Sequence, residues 1–297
     1  MFTAKDVKEL REKTGCGMMD CKKALTESDG DMEKAMELLR EKGLAAATKK
    51  AGRIAAEGIV SSYTSDDASV GAIIEVNSET DFVGKNADFK AFVGNLAKIV
   101  AENNPADLEA LNALKYDDTK TVEEELREKI LTIGENMKIR RFARFEGNVV
   151  TYIHGEGRIG VMVKVEGNLT DDAKAAAKDA AMQIAAMNPL YLDKTTVPSE
   201  DLEKEKHIIL AQMKEDPKNA GKPENILEKM LTGKVNKFYE LNCLNQQEFV
   251  KDSNYKVEKY LAEKGIKLVD FVRFEKGEGL EKKEENFADE VAKQMNA

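Results

Sequence analysis

Three patterns predict an α+β fold: a small three-helix module, two duplicated α+β subdomains, an antiparallel helical hairpin inserted in the second, and a carboxy-terminal helix. The first is an internal repeat. "EGIVSSYTSDDASVGAIIEV" (57–76) and "EGNVVTYIHGEGRIGVMVKV" (146–165) both open on Glu-Gly, alternate apolar residues, turn, and carry a Gly 13 residues after the first one. The second is helical periodicity broken by Gly-rich turns over the first forty residues. The third is long helical spacing between 196 and 238. With 297 residues, the chain has room for two or three compact units.

Taken in order, residues 1–53 read as three short helices. Thr3 with Asp6 is a capping-box pattern with a shortened acid, and Val7 and Leu10 mark the buried face. Thr14-Gly15-Cys16-Gly17 breaks that helix, Met18, Cys21 and Leu25 give a second apolar face, and Met32, Ala35, Met36 and Leu39 a third, which Gly43 is expected to end. "AAATKKAGR" (45–53) then reads as a flexible connection. In the first subdomain (54–138) a hairpin leads to a helix carrying Phe89, Phe92, Val93 and Leu96. In the second (139–195, completed by 239–276) a hairpin leads to a helix carrying Ala176, Ala180, Met182, Ile184 and Ala185. "FARFEG" (142–147) and "FVRFEKGEG" (271–279) read as further strands, so the second subdomain closes with chain returning from the carboxy-terminal side. Between them, Leu202, Ile209 and Met213 are spaced to face Leu227, Leu231 and Phe238 across a hairpin (196–238) whose tip is "DPKNAGKP". "NFADEVAKQMNA", within 277–297, reads as a short amphipathic helix.

Composition narrows the function. A net charge of −9 and no basic stripe interleaved with aromatics argue against nucleic acid as a direct partner. Residues 1–53 are slightly basic, with twelve Lys and Arg against ten Asp and Glu, ahead of an acidic body. No run approaches 18 apolar residues and no signal-peptide layout opens the chain, so a cytoplasmic protein without a membrane partner is expected. Three cysteines and two histidines at unsuitable spacings make a metal site an unlooked-for feature, and no cofactor motif is present: "GEGRIG" (155–160) lies inside a hairpin with no helix to present its amides. His154 at that hairpin turn reads as a structural or contact residue before a general base.

"NSETDFVGKNADF" (77–89) sets Asp81 and Phe82 side by side where strand gives way to helix. The simple reading makes Asp81 the helix cap and Phe82 its first core residue. Aligning the repeats at an offset of 89 puts Thr170 and Asp171 opposite that pair. The second copy thus turns without the aromatic, which favours a Phe82 presented outward.

"TGCGMMDCKKAL" (14–25), "TDFVGKN" (80–86), "IGENMKIRR" (133–141) and "HGEGRIGV" (154–161), in this order and separation, resemble the bacterial elongation factor Ts family, the nucleotide exchange factors of elongation factor Tu. The resemblance spans essentially the whole chain; Cys16 stands where the family usually carries a small apolar residue. It implies that the amino-terminal module is similar to a ubiquitin-associated fold. It also implies that Thr80, Asp81, Phe82 and Val83 displace magnesium from the partner's nucleotide site, the aromatic acting as a wedge. By the same resemblance Lys22, Lys23 and Lys50 lie on a partner-facing surface, Ile133, Gly134 and His154 lie in the contact region of the core, and the carboxy-terminal helix is a further contact module. The implied partner is elongation factor Tu, GDP-bound and nucleotide-free; homodimerisation stays open. Two other readings are a ubiquitin-associated-like adaptor with a passive body, and an acid–base hydrolase using His154 and an Asp. Release of fluorescent GDP from elongation factor Tu separates the three.

Overall fold

The computed structural model describes residues 2–219 and 222–281. Helices α1 (Ala4–Thr14), α2 (Met18–Glu27) and α3 (Met32–Lys50) pack around Val7, Leu10, Cys21, Ala24, Leu25 and Leu39. The Asp6 carboxylate accepts hydrogen bonds from the Thr3 backbone N–H and hydroxyl at 2.7 and 2.8 Å, so the shortened acid still reaches. Gly15 takes a left-handed conformation and its N–H closes α1 on the Arg11 carbonyl. Gly43 does not end α3. It is a buried position inside the helix facing Arg127 of another helix, where even a Cβ would make only an ordinary contact, 3.7 Å from the carbonyl oxygen. The following Ala and Lys residues favour helix, and the expected flexible connection over 45–53 is helical as far as Lys50.

Strands β1 (Glu57–Thr64) and β2 (Val70–Ser78) form the first hairpin. After α4 (Asp81–Lys85), α5 (Ala87–Asn103), α6 (Leu108–Ala113) and α7 (Val122–Ile133), strand β3 (Met137–Glu146) adds to β2, giving an antiparallel sheet in the order β1-β2-β3. Strands β4 (Asn148–His154) and β5 (Ile159–Gly167) repeat the hairpin, and α8 (Asp171–Met187) repeats α5. The β-bulge at Glu75/Val76 recurs 89 residues later at Lys164/Val165. Both long helices have 17 residues and end on an Asn in the left-handed conformation, Asn104 and Asn188, 84 apart. The difference of five is the length of α4, which the second copy lacks.

Beyond α8, α9 (Ser199–Glu215) and α10 (Glu224–Asn242) form the hairpin, each following a proline. Ile209, Met213 and Val235 are buried in its seam with Leu202, Leu227, Met230, Leu231 and Tyr239 beside them. Tyr239 takes the seam position expected for Phe238, whose ring lies 6.5 Å from that of Tyr191 at the hairpin's base. Strands β6 (Glu248–Phe249) and β7 (Asp252–Lys256), helix α11 (Val257–Glu263) and strand β8 (Ile266–Glu275) are the last elements among the described residues, β8 pairing with β5 in the order β4-β5-β8. The helix expected over 286–297 lies outside the described residues.

The two sheets meet face to face through Val60, Ile73, Val149, Met162 and Phe274. A Cβ at Gly71 would come within 2.4 Å of the Val149 side chain, and one at Gly160 within 2.4 Å of Val60. Those pairs exchange under the 89-residue repeat, so the glycine in each copy admits the valine of the other.

Candidate partner-binding site

The α4 turn explains why an acid and an aromatic adjoin. Adjacent residues on a helix face different ways, and only one of Phe82 and Val83 can point inward. Val83 does, at 5% exposure within the core of the first sheet, while Phe82 is 76% exposed. The backbone of the turn presses on β1: a Cβ at Gly84 would lie 3.0 Å from the Gly58 carbonyl oxygen. Thr80 rather than Asp81 is the N-cap residue. Asp81 instead pairs with Lys85 at 2.6 Å, and the Lys85 ammonium lies 5.6 Å from the centre of the Phe82 ring. The Lys85 hydrogen bond holds the Asp81 carboxyl below its ordinary range, and the same bond raises Lys85.

Three distant segments converge behind this turn. The Glu135 carboxylate accepts hydrogen bonds from the Thr80 N–H at 2.9 Å and the Thr80 hydroxyl at 2.6 Å. In return, Glu79 accepts the Asn136 N–H at 2.6 Å and lies 3.3 Å from the Arg53 guanidinium. The Asn136 amide donates to the Arg53 carbonyl at 2.7 Å. Gly134, in the left-handed conformation, ends α7, and Lys50 donates to the Ile130 carbonyl at the same helix end. Burial, followed by the nearby Arg53 charge, lowers the Lys50 ammonium below its ordinary range. Ile133 is half-buried against the core of the first sheet.

The family described as "Elongation factor TS" matches residues 79–278. Over almost the full length of both chains, this sequence is similar to proteins named elongation factor Ts. The one from Clostridium kluyveri (strain NBRC 12016) is 55% identical over 307 residues, covering 99% of each chain. The one from Clostridium perfringens (strain SM101 / Type A) is 55% identical over 303 residues, with the same coverage. The chain belongs to the elongation factor Ts family.

The elongation factor Ts match starts at Glu79, one of the two carboxylates of the reciprocal contact. Of the residues singled out from sequence, Thr80–Val83, Lys50, Ile133 and Gly134 come together around it. His154 lies across β1. It is exposed, its Nδ1 is 2.9 Å from the Tyr152 hydroxyl, and its turn reaches the same strand, where a Cβ at Gly157 would meet Ile59 at 2.8 Å. Lys22 and Lys23 are exposed on α2, beside exposed Met18 and Met19. Sequence reasoning did not single out Glu79, Glu135 and Asn136. All three lie inside stretches quoted above, Glu79 in "NSETDFVGKNADF" and Glu135 and Asn136 in "IGENMKIRR", where the last two follow the helix-ending glycine and precede a strand. Among the described residues no His, Cys, Asp and Glu group is arranged to hold a metal, and no helix is long and apolar enough to cross a membrane.

Proposed function

We propose that this chain is the guanine nucleotide exchange factor of elongation factor Tu, acting through the Thr80–Val83 turn on the partner's magnesium and phosphate site. The observation that carries the reading is Phe82: a bare aromatic, mostly exposed, on a turn whose neighbouring valine is buried. A nucleoside diphosphate with magnesium is held by many charge-assisted bonds, and moving the elements that hold the metal by about 1 Å weakens them together. Such an exchange involves no covalent chemistry. A factor that prefers the nucleotide-free partner to the GDP-bound one is displaced, by linkage, when GTP returns.

Binding free energy for the empty state comes from several modules. In this reading residues 1–53 are a ubiquitin-associated-like module presenting Lys22 and Lys23, and Lys50 joins Ile133 and Gly134 beside the wedge. Residues 54–138, with β3 carrying the first sheet on to 146 rather than stopping at the expected boundary, are the first core subdomain, 147–195 with 239–276 the second, with His154 as a contact residue, 196–238 the inserted hairpin and 277–297 a further contact module. The factor works in the cytoplasm without touching nucleic acid directly. Release of fluorescent GDP from elongation factor Tu tests it: the chain should accelerate release, and a chain that binds without acceleration would be an adaptor.

A further inference from the structure

We infer that Glu135 is a positioning residue for exchange: its carboxylate fixes the angle at which the α4 turn presents Phe82. The inference rests on the exchange reading above and adds a residue to it. A five-residue helix cannot hold itself, because nucleation is unfavourable and few bonds follow it. The N-cap threonine would ordinarily steady such a turn with its hydroxyl, yet the Thr80 side chain makes no cap bond to α4. That hydroxyl goes to Glu135, as does the Thr80 N–H, so two donors on one residue meet the two oxygens of one carboxylate at 2.6 and 2.9 Å. A carboxylate bound at both oxygens fixes direction as well as distance.

The return bond from Asn136 N–H to Glu79 pins the residue before Thr80, and the Ser78 hydroxyl donates to the Thr80 carbonyl at 2.9 Å. Behind Glu135, the left-handed Gly134 aims the chain from the end of α7 toward the turn. Val83 anchors the inner side of α4 in the core, and Glu135 anchors its entrance, leaving Phe82 a single direction. Glu135 itself need not touch the partner for this.

The test compares the full chain with Glu135→Ala, Glu135→Gln, Phe82→Ala and the double variant Glu135→Ala/Phe82→Ala. The readouts are the maximal rate of fluorescent GDP release from elongation factor Tu and the half-saturating concentration of the factor, with circular dichroism reporting folding. Glu135→Ala should lower the maximal rate about tenfold, the order of a lost charge-assisted contact, with a smaller change in half-saturation. Glu135→Gln, which keeps one acceptor oxygen, should fall between. In the Phe82→Ala background the Glu135→Ala change should cost less than about twofold, because its effect passes through the ring. A full tenfold loss in that background, or a parent-like rate for both single Glu135 variants beside a slow Phe82→Ala, overturns the positioning role and leaves the wedge intact. A parent-like rate for Phe82→Ala overturns the wedge and the positioning role together.

Discussion

Phe82 and Val83 are adjacent, yet their substitutions should separate function from stability. Phe82→Ala removes an exposed ring, so its unfolding free energy should stay within about 0.5 kcal/mol of the parent while GDP release slows. Val83→Ala should cost about 1.5 kcal/mol, two buried methylene equivalents, read from urea midpoints. The reverse pattern would return Phe82 to the core. The outward Phe82 was legible from the repeat, though the comparison used a register that fails past the strands: Asp171 begins α8 as Ala87 begins α5, and α4 is an insertion with no twin. Glu135 was not legible, because its partner Thr80 is 55 residues away and nothing local marks a carboxylate that accepts from another segment. Cysteine chemistry offers a second test at this scale. Burial, then the nearby Asp193 charge, pushes the Cys243 thiol up to about 11. The native state therefore keeps a proton that the unfolded chain gives up near its ordinary value of about 8.5. This contribution is complete below the unfolded pKa and is lost as pH rises through about 11. Stability measured by urea unfolding should fall over that window, and less steeply in Cys243→Ala.

Among the elements, α3 differs most from its sequence reading, and the difference changes what truncation should do. Periodicity located its apolar face, but Gly43 reads as a stop in sequence and is a buried mid-helix position in space, set against the Arg127 main chain of α7. Because α3 lies along α7 and Leu131 packs on the three-helix core, deleting 1–53 removes the proposed Lys22 and Lys23 surface and also the Lys50 and Arg53 contacts behind the Phe82 turn. The truncated chain should stay folded on the core of Phe89, Phe92 and Leu96. It should release GDP with both a higher half-saturating concentration and a lower maximal rate; a change in half-saturation alone would mean that the Arg53 contacts are dispensable. The hairpin behaves oppositely. Its seam is its own cluster, so spacing alone revealed it; Met230 and the buried Val235 escaped, as did the choice between Phe238 and Tyr239, since both fit the repeat and Tyr191 decides. Asp201 accepts the Tyr191 hydroxyl at 3.0 Å, so the cut should begin beyond it. Replacing 203–236 by a short Gly/Ser link should leave the thermal midpoint of the body nearly unchanged and reduce the radius of gyration by more than the lost mass accounts for. A large fall in that midpoint would make the hairpin integral to the core.

For the molecule as a whole, the repeat announced two related halves but not how they meet. Gly71 and Gly160 look like hairpin glycines until each is seen to admit the valine of the other copy, a contact that depends on both halves being folded. One charged group joins the halves as well. Glu75, fully buried at the bulge of β2, accepts from Asn77 at 3.1 Å, Arg140 at 2.9 Å, Arg141 at 2.6 Å and, from beyond β8, the Gly277 N–H at 2.8 Å. Arg141 also stacks its guanidinium 4.3 Å from the centre of the Phe274 ring in the sheet interface. Removing the carboxylate leaves two guanidinium groups and a backbone N–H without their shared acceptor, and breaking a buried pair from one side costs about 3–5 kcal/mol. Both arginine side chains keep some contact with solvent, 23% and 29% exposed, which places Glu75→Ala near the lower end of that range. Because the acceptor serves residues of both halves, the loss should lower the urea midpoint of the whole body in one transition. Far-UV circular dichroism and fluorescence of the seven tyrosines should coincide in that transition, with an unchanged slope. A loss below about 1 kcal/mol would mean that water replaces the carboxylate and the apolar faces alone hold the sheets together; separated transitions would mean that each half folds without the other.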